Sequence, residues 1–347
     1  MTSFAPDTLL GHDQAKRVFA SAFEKGTLHH AWILAGPKGL GKAGFARQAA
    51  QFLLESDRHS PAPSNRLEID AESQAARLLA AGSHPDFRLL QRGGKSDKED
   101  KKARESGIES LEAHELKRNI SIDQVRSLQS LFNTQASIAS HRVVIIDAID
   151  DLERGGANAL LKNLEEPPLK TVFLLVSHTP ERLLPTIRSR CQILRFEPLD
   201  DAQMREVLQQ LAPDLDNPET EALIRAGKGA PGRALQYVDA GLAELEQLAM
   251  QILESGDPDN RIRNDLARKL SLKAATARYH AFLDLVPGLV ADHVRSNRDS
   301  DRIRAIETWQ EICDLAGMAV PKALDSQAVI FRLASMMGSL ALRREPA

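Results

Sequence analysis

The sequence predicts an α/β protein: a parallel sheet covered by helices over residues 1–198, followed by an all-helical remainder. Three observations carry that prediction. Val143 to Ile146 and the stretch TVFLLVSHT at 171–179 are continuous apolar runs, the pattern of strands buried on both faces. A glycine-rich loop, GPKGLGK at 36–42, follows a short apolar run and opens a helical stretch, the context a phosphate-binding loop requires. After Pro198 the apolar residues recur at helical spacing to the end of the chain, with no convincing strand.

The elements follow in order. Ala15, Val18, Phe19, Ala22 and Phe23 lie at helical spacing within 13–25. HHAWILAG at 29–36 reads as a buried strand ending in glycine, and KAGFARQAAQFLLES at 42–56 as the helix after the loop. Residues 57–66 read as loop. The charge-dense stretch 93–118 is expected to form a mobile insertion, solvated at least over 93–106. Ser121 or Asp123 can cap a helix bearing Val125, Leu128 and Leu131. HRVVIIDAIDDL is a strand with Asp147 at its carboxyl end, and GGANALLKNLEEPP is a helix stopped by Pro167 and Pro168. CQILRFEPL at 191–199 is a shorter strand. Breaks at APDLDNPE, GKGAPG, ESGDPDN and VPG divide the rest into a small helical domain, 199–245, and a larger one, 250–347.

Composition bounds the function. The 347 residues suffice for two or three cores, and only 4% are aromatic. Lys plus Arg (45) against Asp plus Glu (48) gives a net charge of −3, which excludes a strongly basic whole-chain footprint for nucleic acid. Cys191 and Cys313 are too few for a disulfide framework or a zinc cluster and fit a reducing compartment. No signal pattern and no apolar run of spanning length is present, so the expectation is a cytoplasmic protein with no membrane partner.

Phosphoryl transfer on a phosphate loop needs several parts. The cradle is present as Gly36, Pro37, Lys38, Gly39, Leu40, Gly41 and Lys42, and the strand-end acid as Asp147. The hydroxyl that would hold magnesium is missing, because Ala43 stands where Ser or Thr belongs. The acid is followed by Ala148, where many ATPases of this layout place a glutamate that polarises the attacking water. That loss is severe, since positioned general-base help is worth roughly 10²- to 10⁴-fold in rate. Asp150 and Asp151, beyond the strand end, are expected to point elsewhere. Arg188 and Arg190 in TIRSRCQ read as surface charges when taken alone, yet an arginine supplied to a neighbour's nucleotide can raise turnover by about 10³- to 10⁵-fold.

GPKGLGK, NALLKNLEEPP, HTPERLLPTIRSRCQ and GAPGRAL together resemble the clamp-loader branch of the AAA+ ATPases. The resemblance covers most of the chain and is weakest at 57–82, 93–118 and beyond 250. It implies a AAA+ module, a helical lid (199–245) and an all-α collar (250–347) that joins a five-membered ring with gamma or tau motor subunits and a delta subunit. It also implies DNA polymerase III as the setting, with the sliding clamp and primed DNA met through the complex, and Arg190 as a finger into a motor's ATP. Where motors carry a lid arginine this chain has Gly232, with Arg233 one residue late and turned by about 100° on a helix. With Ala43 and Ala148 that makes three matched losses, so no catalysis in cis is expected.

Many members of the branch carry a four-cysteine zinc module after the first loop helix. Residues 51–90 here hold no cysteine, only His59 and His84, so no zinc is expected. His84 reads as a turn or packing residue, Cys191 as a small apolar one, and Trp32 and Phe45 as core. Glu165 and Glu166 read as solvated or structural charges, or as ring contacts, rather than catalysts. No cofactor is required, but the cradle leaves open a weak, magnesium-independent ATP or ADP site. Two rivals remain at this stage: an ATP-hydrolysing gamma- or tau-type motor, and a nucleotide-sensing phosphate-loop protein outside replication.

Overall fold

The apolar runs form a five-stranded parallel sheet in the order β2-β3-β4-β1-β5. The computed structural model describes residues 9–55, 67–106, 111, 115–132, 138–296 and 302–341. The chain divides into two compact units, Met1–Leu199 and Asp200–Ala347.

In the first unit, α1 (Asp13–Glu24) precedes β1 (Ala31–Ala35), and α2 (Lys42–Leu54) follows the glycine loop. Then come α3 (Gln74–Ala80), β2 (Phe87–Gln91), α4 (Asp97–Ser106), α5 (Ile122–Phe132) and β3 (Arg142–Asp147). The unit closes with α6 (Arg154–Glu165), β4 (Thr171–Ser177), the single turn α7 (Pro185–Arg188) and β5 (Gln192–Arg195). Alternation along β1 divides its side chains between two cores. Ala31, Ile33 and Ala35 meet Val125 and Leu128 of α5 and Leu160 and Leu164 of α6 in one cluster. Trp32, fully buried, lies 5.2 Å ring to ring from Phe19 of α1, which contacts Phe45 of α2 at 5.8 Å. Each such buried side chain contributes about 1.5–3 kcal/mol relative to exposure, so these faces hold the sheet between its helices.

Two local readings change, and a third, left open between two residues, is decided. The strand Phe87–Gln91 has no counterpart in the sequence reading: its half-buried, polar-interrupted FRLLQ lacks the continuous apolar signature because it pairs only with β3. Residues 97–106, read as solvated and mobile, form α4. Two of its charges are partnered: Asp100 accepts from the Gly94 N–H (2.6 Å) and pairs with Lys117 (3.6 Å), and Lys102 pairs with Glu115 (3.4 Å). The backbone closes on the returning chain through Lys95 N–H to Glu115 O and Lys117 N–H to Gly93 O, both 2.8 Å. Of the two candidate caps, Ser121 takes the role, its N–H donating to Gln124 Oε1 (2.9 Å) and its hydroxyl oxygen accepting from the Gln124 N–H (3.4 Å). Residues 57–66, 107–110 and 112–114, part of the loop and insertion expectations, lie outside the described residues.

The second unit is helical throughout its described residues: α8 (Asp201–Leu211), α9 (Asn217–Gly227), α10 (Pro231–Ala234), α11 (Leu242–Ser255), α12 (Arg261–Leu270), α13 (Thr276–Ser296), α14 (Arg302–Ala319) and α15 (Ser326–Ser339). The expected division between lid and collar at 245–250 falls inside α11. The reason is packing: α11 buries Leu242, Leu245, Ala249, Ile252 and Leu253, and meets α9 as well as α13 and α15. Asp284 of α13 adds a polar tie, accepting from Tyr237 Oη (2.6 Å) and pairing with Arg233 of α10 (3.1 Å).

Candidate functional site at the carboxyl edge of the sheet

Parallel register brings the carboxyl ends of the strands together, with Gln91 beside Asp147, Asp147 beside Val176, and Ala35 beside Ser177. Open α/β sheets bind ligands at this edge. The loop leaves β1 through Gly36, whose N–H donates to Ser177 O (3.3 Å). Gly36 has φ 152°, and a Cβ there would sit 2.6 Å from Phe196 O, so the loop depends on glycine at this point. Pro37 and Lys38 are exposed, Gly39 is half-buried and Leu40 is buried. The His12 ring hydrogen-bonds Leu40 O (2.8 Å), and Gly41, in the left-handed region, begins α2.

Lys42 is buried, and its ammonium donates to Gly36 O (2.6 Å) and Pro37 O (2.5 Å) of its own loop. Burial lowers its pKa to about 8, against the opposing pull of Asp147 and Asp150. Asp150 does not point away from the site. It turns to the end of β4, where it accepts from Ser177 Oγ (3.0 Å), His178 N–H (2.7 Å), Thr179 N–H (3.1 Å) and Thr179 Oγ1 (2.9 Å). Burial pushes its pKa up, but these bonds outweigh that and hold the carboxyl below its ordinary value. Asp151 pairs with Arg92 at 3.1 Å, while burial raises its pKa.

Sequence reasoning missed His178 and Arg92. Burial, then Lys42, lowers the His178 pKa to about 4, so this ring is neutral at pH 7. The usable signal was SHT at the end of an apolar run, because side chains there must face the loop after β1.

Of the protein oxygens that hold a magnesium nucleotide on such a loop, this edge keeps the Asp147 carboxylate and lacks the loop hydroxyl. Ala43 presents a methyl where the hydroxyl would stand, and Ala148 is a buried methyl beside Asp147.

Beyond the edge, Arg190 Nη2 lies 2.9 Å from Glu165 Oε1, and its Nη1 donates to Thr186 O at 2.9 Å. Arg188 is exposed. Cys191 packs against the core cluster, and burial pushes its thiol up to about 12. Arg233, the late lid arginine, is committed to Asp284 within the second unit. His84 is buried at the turn into β2, where its Nδ1 accepts from the Asp86 N–H (3.2 Å). His59 lies outside the described residues, among which no group of three or more His, Cys, Asp or Glu could hold a metal ion.

The fold and this edge define an α/β protein with a glycine-rich loop between β1 and α2, Asp147 at the end of β3, and methyl groups at Ala43 and Ala148. The chain belongs to the family described as DNA polymerase III, delta subunit, whose model matches residues 11–200. DNA polymerase III subunit delta' of Pseudomonas aeruginosa is 36% identical over 217 residues, 62% of this chain and 57% of the relative. The subunit delta' of Escherichia coli is 25% identical over 306 residues, covering 88% of this chain and 82% of that protein. DNA polymerase III subunit gamma/tau of Mycobacterium tuberculosis is 25% identical over 323 residues, 91% of this chain and 51% of the relative. The match thus spans little more than half the length of the Pseudomonas relative. Relatives named delta' and relatives named gamma/tau are both among those the chain resembles.

Proposed function

We propose that this chain is a non-catalytic subunit of the DNA polymerase III clamp loader, acting in the cytoplasm in DNA replication. It sits in a five-membered ring with gamma or tau motors and delta, and supplies Arg190 to a motor's ATP while turning over none itself. The ring opens the sliding clamp and closes it on primed DNA, which this chain meets through the complex. The observation that carries the reading is the pairing of a retained cradle with Ala43 and Ala148, two methyls where a hydrolysing site needs oxygens. Lys42, folded onto Gly36 and Pro37, supports a degenerate site that takes ATP or ADP weakly and without magnesium, and no zinc is required. Arg190 supports the finger role by standing at the surface in a defined pose.

The test is reconstitution with motor subunits, comparing the chain with its Arg190→Ala variant. ATP turnover should fall about 10³-fold or more at the site served by this chain, since a trans arginine contributes on that scale. Unchanged ATPase and clamp-loading rates in an intact ring would refute the role. ATP turnover by the isolated chain, abolished by Lys42→Ala, would refute the non-catalytic reading.

A further inference from the structure

We infer that Glu165 is the positioning residue for Arg190, an inference that rests on the finger reading above. Both partners stand on fixed supports. Glu165 is the last residue of α6, and the preceding Leu164 is buried in the core cluster, its carbonyl held by the His30 ring at 3.1 Å. Pro167 and Pro168 end the helix directly beyond. Arg190 follows α7, which is pinned to the same core by Ile187 on one side and Cys191 on the other. Neither end of the pair is on a free loop.

The guanidinium is held at two points. Nη2 pairs with Glu165 (2.9 Å), and Nη1 donates to Thr186 O (2.9 Å) with a longer contact to Ser189 Oγ (3.4 Å). Arginine has five N–H donors in a planar fork, so these contacts fix the plane without using every donor, and the remaining N–H groups can serve a neighbour's phosphate. The side chains are 36% and 49% exposed, so a second subunit can reach the fork while Glu165 keeps it in place. A long side chain that is already oriented loses less freedom on engaging the transition state, and that lowers the barrier rather than tightening ground-state binding. Arg188, two residues earlier on the same turn, forms no ion pair among the described residues.

The prediction separates positioning from folding and from direct contact. In a ring rebuilt with the full chain, gamma or tau motors and delta, Glu165→Ala should reproduce about half or more of the kcat loss caused by Arg190→Ala, with KM for ATP within about twofold. Glu165→Gln keeps the shape and one acceptor oxygen, so it should restore part of that loss. Glu165→Ala combined with Arg190→Ala should be no slower than Arg190→Ala alone, and the thermal midpoint of the free chain should not move. Wild-type kcat in Glu165→Ala, with Arg190→Ala impaired, would overturn the positioning role and leave the finger standing. A double variant slower than Arg190→Ala would overturn it by giving Glu165 a contact of its own. If Arg190→Ala keeps wild-type turnover, the finger reading fails first and this inference falls with it.

Discussion

Asp150 organises the carboxyl edge, and Asp150→Asn measures how much. The carboxylate accepts four hydrogen bonds between 2.7 and 3.1 Å, two from backbone N–H groups and two from hydroxyls. Three of the four go to Oδ1 and one, from the His178 N–H, to Oδ2, so asparagine with its oxygen at the Oδ1 position turns an NH₂ toward the His178 N–H, loses that bond and strips the charge from the other three. At about 1.5 kcal/mol for the lost bond and about 0.5 kcal/mol for the charge lost from each of the others, the first unit should lose about 3 kcal/mol. With a urea m-value of about 2–3 kcal/mol/M for a unit of this size, the midpoint should fall by about 1–1.5 M. The assay is tryptophan fluorescence in a Trp309→Phe background, where Trp32, fully buried beside Phe19, reports the first unit alone. The pH dependence has a definite sign. The folded pKa of Asp150 lies below its ordinary value, so its contribution is present above the unfolded pKa and lost as pH falls through the folded one. The gap between wild type and Asp150→Asn should therefore narrow below about pH 4. A loss under about 1 kcal/mol at pH 7, or a gap that widens in acid, would refute the reasoning.

Two further outcomes follow from buried charges. ¹³C NMR of the reductively methylated chain, with Lys42→Arg for assignment, should show Lys42 titrating near about 8, against about 10.4 for exposed lysines. Because the unfolded amine binds a proton that the folded one has released, the contribution of Lys42 to stability should rise with pH between those values. In the second unit Asp257, only 4% exposed at its side chain, is paired with Arg263 Nε at 3.1 Å, and Arg263 also donates to Gly256 O (2.6 Å). Arg263→Ala removes the guanidinium and leaves that carboxylate only the Ile262 and Arg263 N–H groups (3.1 and 3.0 Å), so it should cost about 2–3 kcal/mol by Trp309 fluorescence, whereas a loss below about 1 kcal/mol would show that solvent and the two N–H groups replace the pair.

Legibility in the sequence tracked how local each signal was. Strands buried on both faces were readable because the interior of β4, Val172 to Val176, faces helices on both sides and is apolar throughout. The edge strand β2 was not, since one partner strand and partial exposure permit Arg88 and Gln91 among its apolar residues. The charged stretch 97–106 carried too little apolar surface to suggest order, yet Asp100 and Lys102 find partners at Gly94, Lys117 and Glu115. Charge pattern alone does not say whether an opposite charge returns within reach. Arg190 was picked out by its motif, while its tie to Glu165, 25 positions earlier, was invisible along the chain.

By itself the sequence determined the α/β class, the cradle from Gly36 to Lys42 and the missing oxygens at Ala43 and Ala148, because each is a property of residue type at a fixed local spacing. Only the tertiary structure decided where Lys42 donates, that Asp150 faces the end of β4, and what holds Arg190. Those outcomes depend on which distant segments the sheet register and the helix ends bring within hydrogen-bonding distance, and spacing along one chain does not encode that.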